Sequence, residues 1–368
     1  MAVPELDYIT VKGFKSIASI EKLPLRSINV LIGPNGSGKS NFIGVFAFLH
    51  EIREGRLQDY VGRAGGADKL LYFGSKETEE IYLHISFEGE VNQYAITLAH
   101  TTADGLYPKR ELAYFWNKDT HPEGPLGNIL PSRNGEAGIS ETNVSAVPDW
   151  VRDRLGRWRV YHFHDTSNTS PMKKAADLED NRFLRSDGSN LASFLYFLRE
   201  KQAASYNLIR KTVQRVTPFF HDFVLEPRQL KQDQILLAWR HKHSDKYFDA
   251  ASLSDGTLRF IALATLFLQP KSHRPSVILV DEPELGLHPY AISVLGSLIK
   301  SAGTKTQILV STQSPLLLDE FEPEDVLVAD LVDGTTHLKR LESEKLTSWL
   351  EDYSLGQLWE KNKLGGRP

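Results

Sequence analysis

The sequence predicts an α/β fold with a mixed central sheet, an antiparallel β lobe and a short helical insertion. Three observations carry this. An apolar strand, Ser27–Ile32, runs into a glycine-rich turn and then into a segment whose apolar residues Phe42, Ile43, Phe46 and Leu49 recur at helical spacing. Two further short runs, Val277–Val280 and Ile308–Val310, have the unbroken hydrophobicity of parallel strands covered on both faces. Residues 80–115 instead alternate, as IYLHISF and NQYAITL around the turn EGEV, which points to antiparallel pairing.

In chain order, Tyr8, Ile9, Val11 and Phe14 alternate with polar or small residues and open the chain as a strand. Residues 116–150, rich in Gly, Pro, Asn and Ser, read as a long surface excursion. From Asn190 to Phe223 the apolar residues Leu191, Phe194, Leu195 and Leu198, then Leu208, Val213 and Val216, repeat as in amphipathic helices. Strand character resumes in QILLAW, and a helix is expected after Gly256. No internal repeat, heptad seam or low-complexity tract interrupts the pattern.

Composition limits the chemistry. The 368 residues contain no cysteine, so disulfides, Cys-ligated zinc, iron–sulfur clusters and thiol nucleophiles are excluded. The sequence contains no apolar run of the length a membrane span needs, and MAVPELDYITVKG lacks the regions of a signal peptide, so the expectation is a soluble cytoplasmic protein with no membrane partner. A net charge of −4 argues against blanket nucleic-acid binding and leaves room for a local basic stripe.

Gly33-Pro34-Asn35-Gly36-Ser37-Gly38-Lys39-Ser40 fits G-x-x-x-x-G-K-[ST] in full, after a predicted strand and at a predicted helix start. Glycines there let several backbone N–H groups point into one concave space and approach phosphate oxygens without a Cβ in the way, and the helix N-terminus adds its positive dipole end. Lys39 is placed to reach the β- and γ-phosphates of ATP, and the Ser40 hydroxyl to ligate Mg²⁺. A second strand ends in Asp281-Glu282. Adjacent strand residues point oppositely, so the acids divide the work: Asp281 holds Mg²⁺ and Glu282 orients and activates the attacking water. A strand end with solvated acids is the plain alternative, and the phosphate loop argues against it. Ser252-Leu253-Ser254-Asp255-Gly256-Thr257 precedes a helix; taken alone it is a capped helix start.

Together these motifs resemble the ABC-type ATPases of the RecF, SMC and OLD-like group, whose signature is close to LSGGQ or LSDGT, and the tail LGQLWEKNKLGGRP is similar to those of small stand-alone AAA family ATPases of this group. The landmarks fall in the family's order. ELGLHP (Glu284–Pro289) stands in the place of the D-loop, and Ser311-Thr312-Gln313-Ser314-Pro315 in that of the switch. Gly13-Phe14-Lys15-Ser16 resembles the family's N-terminal strand motif, which places Lys15 and Ser16 near the phosphates; Asn41 continues the loop. The resemblance implies one composite head over residues 1–368: an N-terminal lobe at 1–175, a helical lid at 176–225 and a C-terminal lobe at 226–368. It also implies that Ser254, Asp255 and Gly256 of one chain cap the ATP held by another, in a head-to-tail homodimer with two nucleotides sandwiched between copies. Gln313 stands where the family usually has histidine; it can hydrogen-bond but not take on charge near neutral pH, which points to slow turnover. The family's glutamine loop is not identifiable, and Gln93 has no motif behind it.

His162 and His164 lie on one face of a predicted strand, as metal ligands do, with no third ligand evident in the sequence. Trp150–Val160 carries four arginines and two tryptophans, which suits nucleic acid or, more simply, a solvated amphipathic helix. The resemblance implies an ATP-hydrolysing switch acting in DNA repair or maintenance or in antiphage defence. The alternative is a regulatory or scaffold subunit that uses ATP to hold a partner nuclease or toxin effector inactive. The segment after Pro315 is too short for an appended Toprim nuclease domain, and missing heptads argue against long coiled-coil arms.

Overall fold

A computed structural model describes residues 5–142 and 144–366. Alternation in the opening segment builds the hairpin β1 (Leu6–Phe14) and β2 (Ile17–Pro24). β3 (Ile28–Ile32) then enters the glycine-rich loop ahead of α1 (Lys39–Arg53), and α2 (Leu57–Ala64) follows. β4 (Glu80–Phe87), β5 (Asn92–His100), β6 (Leu106–Phe115) and β7 (Leu126–Ile129) complete an antiparallel sheet in the order β2-β1-β4-β5-β6-β7. The 116–150 segment is therefore less of an excursion than its composition suggests. β7 extends the lobe, and Leu130, Ala137 and Ile139 are buried under it. The buried Glu111 explains this, because its carboxylate accepts from the Gly138 and Ile139 amides and pins the returning chain to the lobe.

α3 (Ala146–Gly156) is followed directly by β8 (Trp158–Tyr161). Trp150–Val160 is thus half helix and half core strand rather than one solvated helix. Trp158 decides it: its side chain is 1% exposed. The arginines are engaged locally, Arg154 with Glu5 and Glu88, Arg157 with Asp153, and Arg159 with the carbonyls of Gly156 and Trp158. Next come β9 (Ala176–Asp177), α4 (Leu191–Lys201), α5 (Ala203–Val216), β10 (Phe220–Val224), β11 (Pro227–Arg228), β12 (Lys231–Ile235), β13 (Ala238–His241) and β14 (Tyr247–Asp249). QILLAW is split between β12 and β13, which belong to two different three-stranded sheets. Within 176–225, Phe194, Leu195 and Leu198 are buried in the same cluster as Val280 and Val310, so α4 is seated on the core.

α6 (Asp255–Leu268), β15 (Val277–Asp281), α7 (Pro289–Gly303), β16 (Gln307–Thr312), α8 (Pro315–Leu318), β17 (Val326–Val332), β18 (Thr335–Arg340), α9 (Ser343–Leu350) and α10 (Leu355–Glu360) finish the chain. The central sheet runs β18-β17-β3-β16-β15-β8, parallel throughout except for the β17–β18 hairpin. Strand alternation divides the core. Val30, Ile32, Ile278, Val280 and Val310 face α4–α7, whereas Leu31, Leu279 and Leu309 face α1 and the β lobe. Cover on both faces is why these strands read as continuous apolar runs. Their common direction places the segments after β3, β15, β16 and β8 at the carboxyl ends of the parallel strands, where ligands of open α/β sheets bind.

Candidate functional site

Sheet order decides what meets what. β3, β16, β15 and β8 lie side by side, so the glycine-rich loop, Gln313, Asp281–Glu282 and His162 emerge as neighbours from one edge. In the loop, Gly38 has φ +94°, and a Cβ there would stand 1.9 Å from Thr336 Oγ1 and 2.9 Å from Ser16 Oγ. Only glycine fits. Thr336, on β18, is fully buried and donates to the Ser37 carbonyl at 3.0 Å while sharing a 2.7 Å hydrogen bond with Ser16 Oγ. Asn41 Nδ2 donates to the same Ser16 hydroxyl at 2.7 Å. The structure thus brings Ser16 and Asn41 to the loop. Lys15, left-handed at φ 50°, instead sends Nζ along α1 toward Gly44 and lines a groove of about 630 Å³ with His50, Tyr60, Arg159 and His162. Burial lowers the Lys15 pKa.

Lys39 is 5% exposed and donates from Nζ to the carbonyls of Gly33 and Pro34, at 2.8 and 2.9 Å. Burial lowers its pKa, and the acids Glu282, Asp281 and Glu284 oppose that shift. Ser37 Oγ is buried with no hydrogen-bond partner among the described residues, as an oxygen waiting on a phosphate would be. Asn35 and Gly36 are exposed at the tip. Ser40 Oγ donates to Asp281 Oδ2 at 3.2 Å, and the other Asp281 oxygen accepts from Ser311 Oγ. Hydroxyl and carboxylate oxygens facing one another form the donor set a hard dication takes, so Ser40 and Asp281 fit Mg²⁺. A dication held there would supply positive charge against nucleotide phosphates.

The two adjacent acids are separated by a device other than strand alternation. β15 ends at Asp281, and Glu282 takes a left-handed φ of 41°, unusual for a glutamate. The turn swings its carboxylate across to Gln313 Nε2, which also donates to Asn35 Oδ1 at 2.8 Å. Glu282, Gln313 and Asn35 therefore form one polar chain over the loop, suited to holding and deprotonating a water.

Glu284 carries no motif of its own beyond its place in ELGLHP, yet it is 6% exposed and accepts from Thr312 Oγ1 at 2.5 Å and from the Gln313 amide at 3.1 Å. Its Oε2 is buried without a partner among the described residues, and burial raises its pKa. Arg259 is a second residue that the motifs miss. From α6 it donates to the carbonyls of Phe163 and His164, at 2.9 and 3.0 Å, and to that of Leu285. The residue types gave no signal for either, because their partners lie in segments distant in sequence.

α6 starts at Asp255, two residues earlier than expected, with Ser254 as its cap: Ser254 Oγ accepts from the Thr257 amide at 3.2 Å. Asp255 lies 3.7 Å from Lys173, and a Cβ on Gly256 would stand 2.2 Å from the Gly286 carbonyl. Among the described residues, no hydrogen bond or ion pair joins Ser254, Asp255 or Gly256 to loop 33–40. Gln93 is on β5, bonded to His84 and to the Glu90 carbonyl, within the antiparallel lobe; it is no part of this site. His162 and His164 do acquire a third potential ligand, Asp281, which sheet order supplies.

A phosphate-loop motif after β3 and two consecutive acids at the end of β15, with only β16 between the two strands, are the layout of a P-loop ATPase. The chain belongs to the family described as "AAA domain, putative AbiEii toxin, Type IV TA system", whose sequence model matches residues 28–319. Among solved structures it is similar to an Smc head bound to the C-winged helix domain of ScpA, with 19% identity and a TM-score of 0.62 over 94% of this chain and 100% of that one. It is also similar to an Smc head domain with an extended coiled coil bound to the C-terminal domain of ScpA from Pyrococcus furiosus, with 16% identity and a TM-score of 0.59 over 95% and 99% of the two chains. A third, an Smc head domain with a coiled coil and joint from Pyrococcus yayanosii, gives 14% identity and a TM-score of 0.54 over 95% and 99%. The fold is that of the ABC-type P-loop ATPase heads. Among the described residues, no helix is long and apolar enough to cross a membrane.

Proposed function

We propose that this chain is an ATP-hydrolysing switch that closes head to tail with a second copy. Ser254, Asp255 and Gly256 of each copy then cap the γ-phosphate held by the other's loop. One observation carries the reading: the loop, Asp281, Glu282 and Gln313 converge within a single chain, while among the described residues no hydrogen bond or ion pair joins Ser254, Asp255 or Gly256 to that loop. Binding of ATP gives Lys39 charged acceptors in place of two carbonyls, and charge-assisted hydrogen bonds are roughly twice as strong as neutral ones. Glu282, steadied by Gln313, takes the proton of the attacking water; Ser40 and Asp281 hold Mg²⁺. Hydrolysis removes the phosphate that both copies grip, so turnover opens the pair.

The pathway we assign is antiphage defence or DNA maintenance, with the dimer acting on duplex DNA or on an effector protein. A regulatory subunit that restrains a nuclease or toxin is the second reading; the family's toxin–antitoxin description and the uncharged Gln313 favour it. ATP turnover and native mass, measured with and without linear duplex DNA, distinguish the two. DNA-stimulated turnover supports action on DNA, and an ATP-held assembly indifferent to DNA supports restraint of an effector. Turnover that survives Lys39→Ala would overturn both.

A further inference from the structure

We propose that His162, His164 and Asp281 form a binding site for a first-row transition-metal dication, beside the oxygen-only position at Ser40. One ligand atom from each of the three lies within 4.8 Å of the others. The two histidines alternate just beyond β8, which is paired with β15 in the register Tyr161↔Val280, so both rings stand level with the end of the Asp281 strand. Their ring centroids are 6.3 Å apart. His164 Nε2 is 2.9 Å from the Asp281 carbonyl. A carbonyl only accepts, so Nε2 carries the hydrogen and Nδ1 keeps its lone pair, the tautomer in which an imidazole anchored by one nitrogen ligates metal through the other.

The backbone beneath the rings is held in place. The His162 amide donates to the Ser186 carbonyl at 2.9 Å, and Arg259 clamps the carbonyls of Phe163 and His164. Such support is what keeps ligands in register before a metal arrives. Two imidazoles and a carboxylate suit Mn²⁺, Co²⁺ or Zn²⁺, whereas Mg²⁺ favours oxygen alone. The site shares Asp281 with the proposed Mg²⁺ position, but its two imidazoles take no part in that function, so metal binding to the nucleotide-free chain goes beyond it and can fail while ATP binding stands. Because Arg259 rises from α6 and also holds Leu285, metal on the histidines would stiffen the strand to which the signature helix and the ELGLHP segment are tied.

The test is a titration of the full, nucleotide-free chain with Co²⁺, read by visible absorption and calorimetry, followed by Zn²⁺ displacement and with Mg²⁺ as comparator. The expected result is one Co²⁺ per chain with nitrogen-ligated d–d bands, displaced by Zn²⁺ and not by millimolar Mg²⁺. His162→Asn and His164→Asn each weaken it by at least about tenfold, with circular dichroism unchanged, while Lys39→Ala leaves it intact. Absence of Co²⁺ binding would overturn the proposal. So would binding that survives the His162→Asn/His164→Asn pair, or binding lost instead in His241→Ala/His243→Ala, a second close pair of histidines.

Discussion

Glu284 shows how one side chain ties the polar chain of Glu282, Gln313 and Asn35 to stability. Its carboxyl holds the Thr312 hydroxyl and the Gln313 amide, and so fixes where the Gln313 side chain begins its reach to Glu282 and Asn35. Burial raises its pKa above the usual 4.5, so the folded chain keeps this proton to higher pH than the unfolded chain does. The stability this contributes is complete below about pH 4.5 and is lost as pH rises through the folded-state value. Glu284→Gln keeps an acceptor and removes the titration. Its stability relative to the parent should therefore climb with pH across that window, by about 1.4 kcal/mol for each pH unit between the unfolded and folded pKa values. Urea midpoints from pH 4 to 7 check this; a difference that stays flat with pH would contradict it.

At the scale of elements, α6 and the ELGLHP segment meet at two glycines. Gly256 is helical, and a Cβ there would collide with the Gly286 carbonyl, so Gly256→Ala must push the signature helix and that segment apart. Overpacking of this kind costs about 1–3 kcal/mol. ATP-dependent pairing should weaken in this variant, measurable by sedimentation-equilibrium mass, while nucleotide affinity of the single chain stays near that of the parent. Local elements such as β3, α1, β15 and β16 were legible in the sequence, because each declares itself by period, by terminal glycines or by an apolar run bounded by acids. Long-range partners were not. Thr336 reaches Ser37 across 299 positions and His164 reaches Asp281 across 117, and nothing in their local patterns encodes the order β18-β17-β3-β16-β15-β8. The same limit hid β7, which pairs with β6, and the seat of Gly138 and Ile139, whose amides are held by the buried Glu111.

For the whole molecule, residues as far apart as Ser16, Lys39, Asp281, Gln313 and Thr336 gather around one loop, an arrangement that supports a single composite head. Its lack of cysteine leaves the proposed chemistry to backbone amides, Lys39, Ser40 and the acids. The central claim is that this head completes its ATP site only with the signature segment of a second copy. Native mass of Glu282→Gln in saturating ATP and Mg²⁺ tests it most directly. A stable dimer is predicted, collapsing to monomer when Ser254→Arg is added to the same chain; a variant that binds ATP and remains monomeric at micromolar concentration would contradict the account.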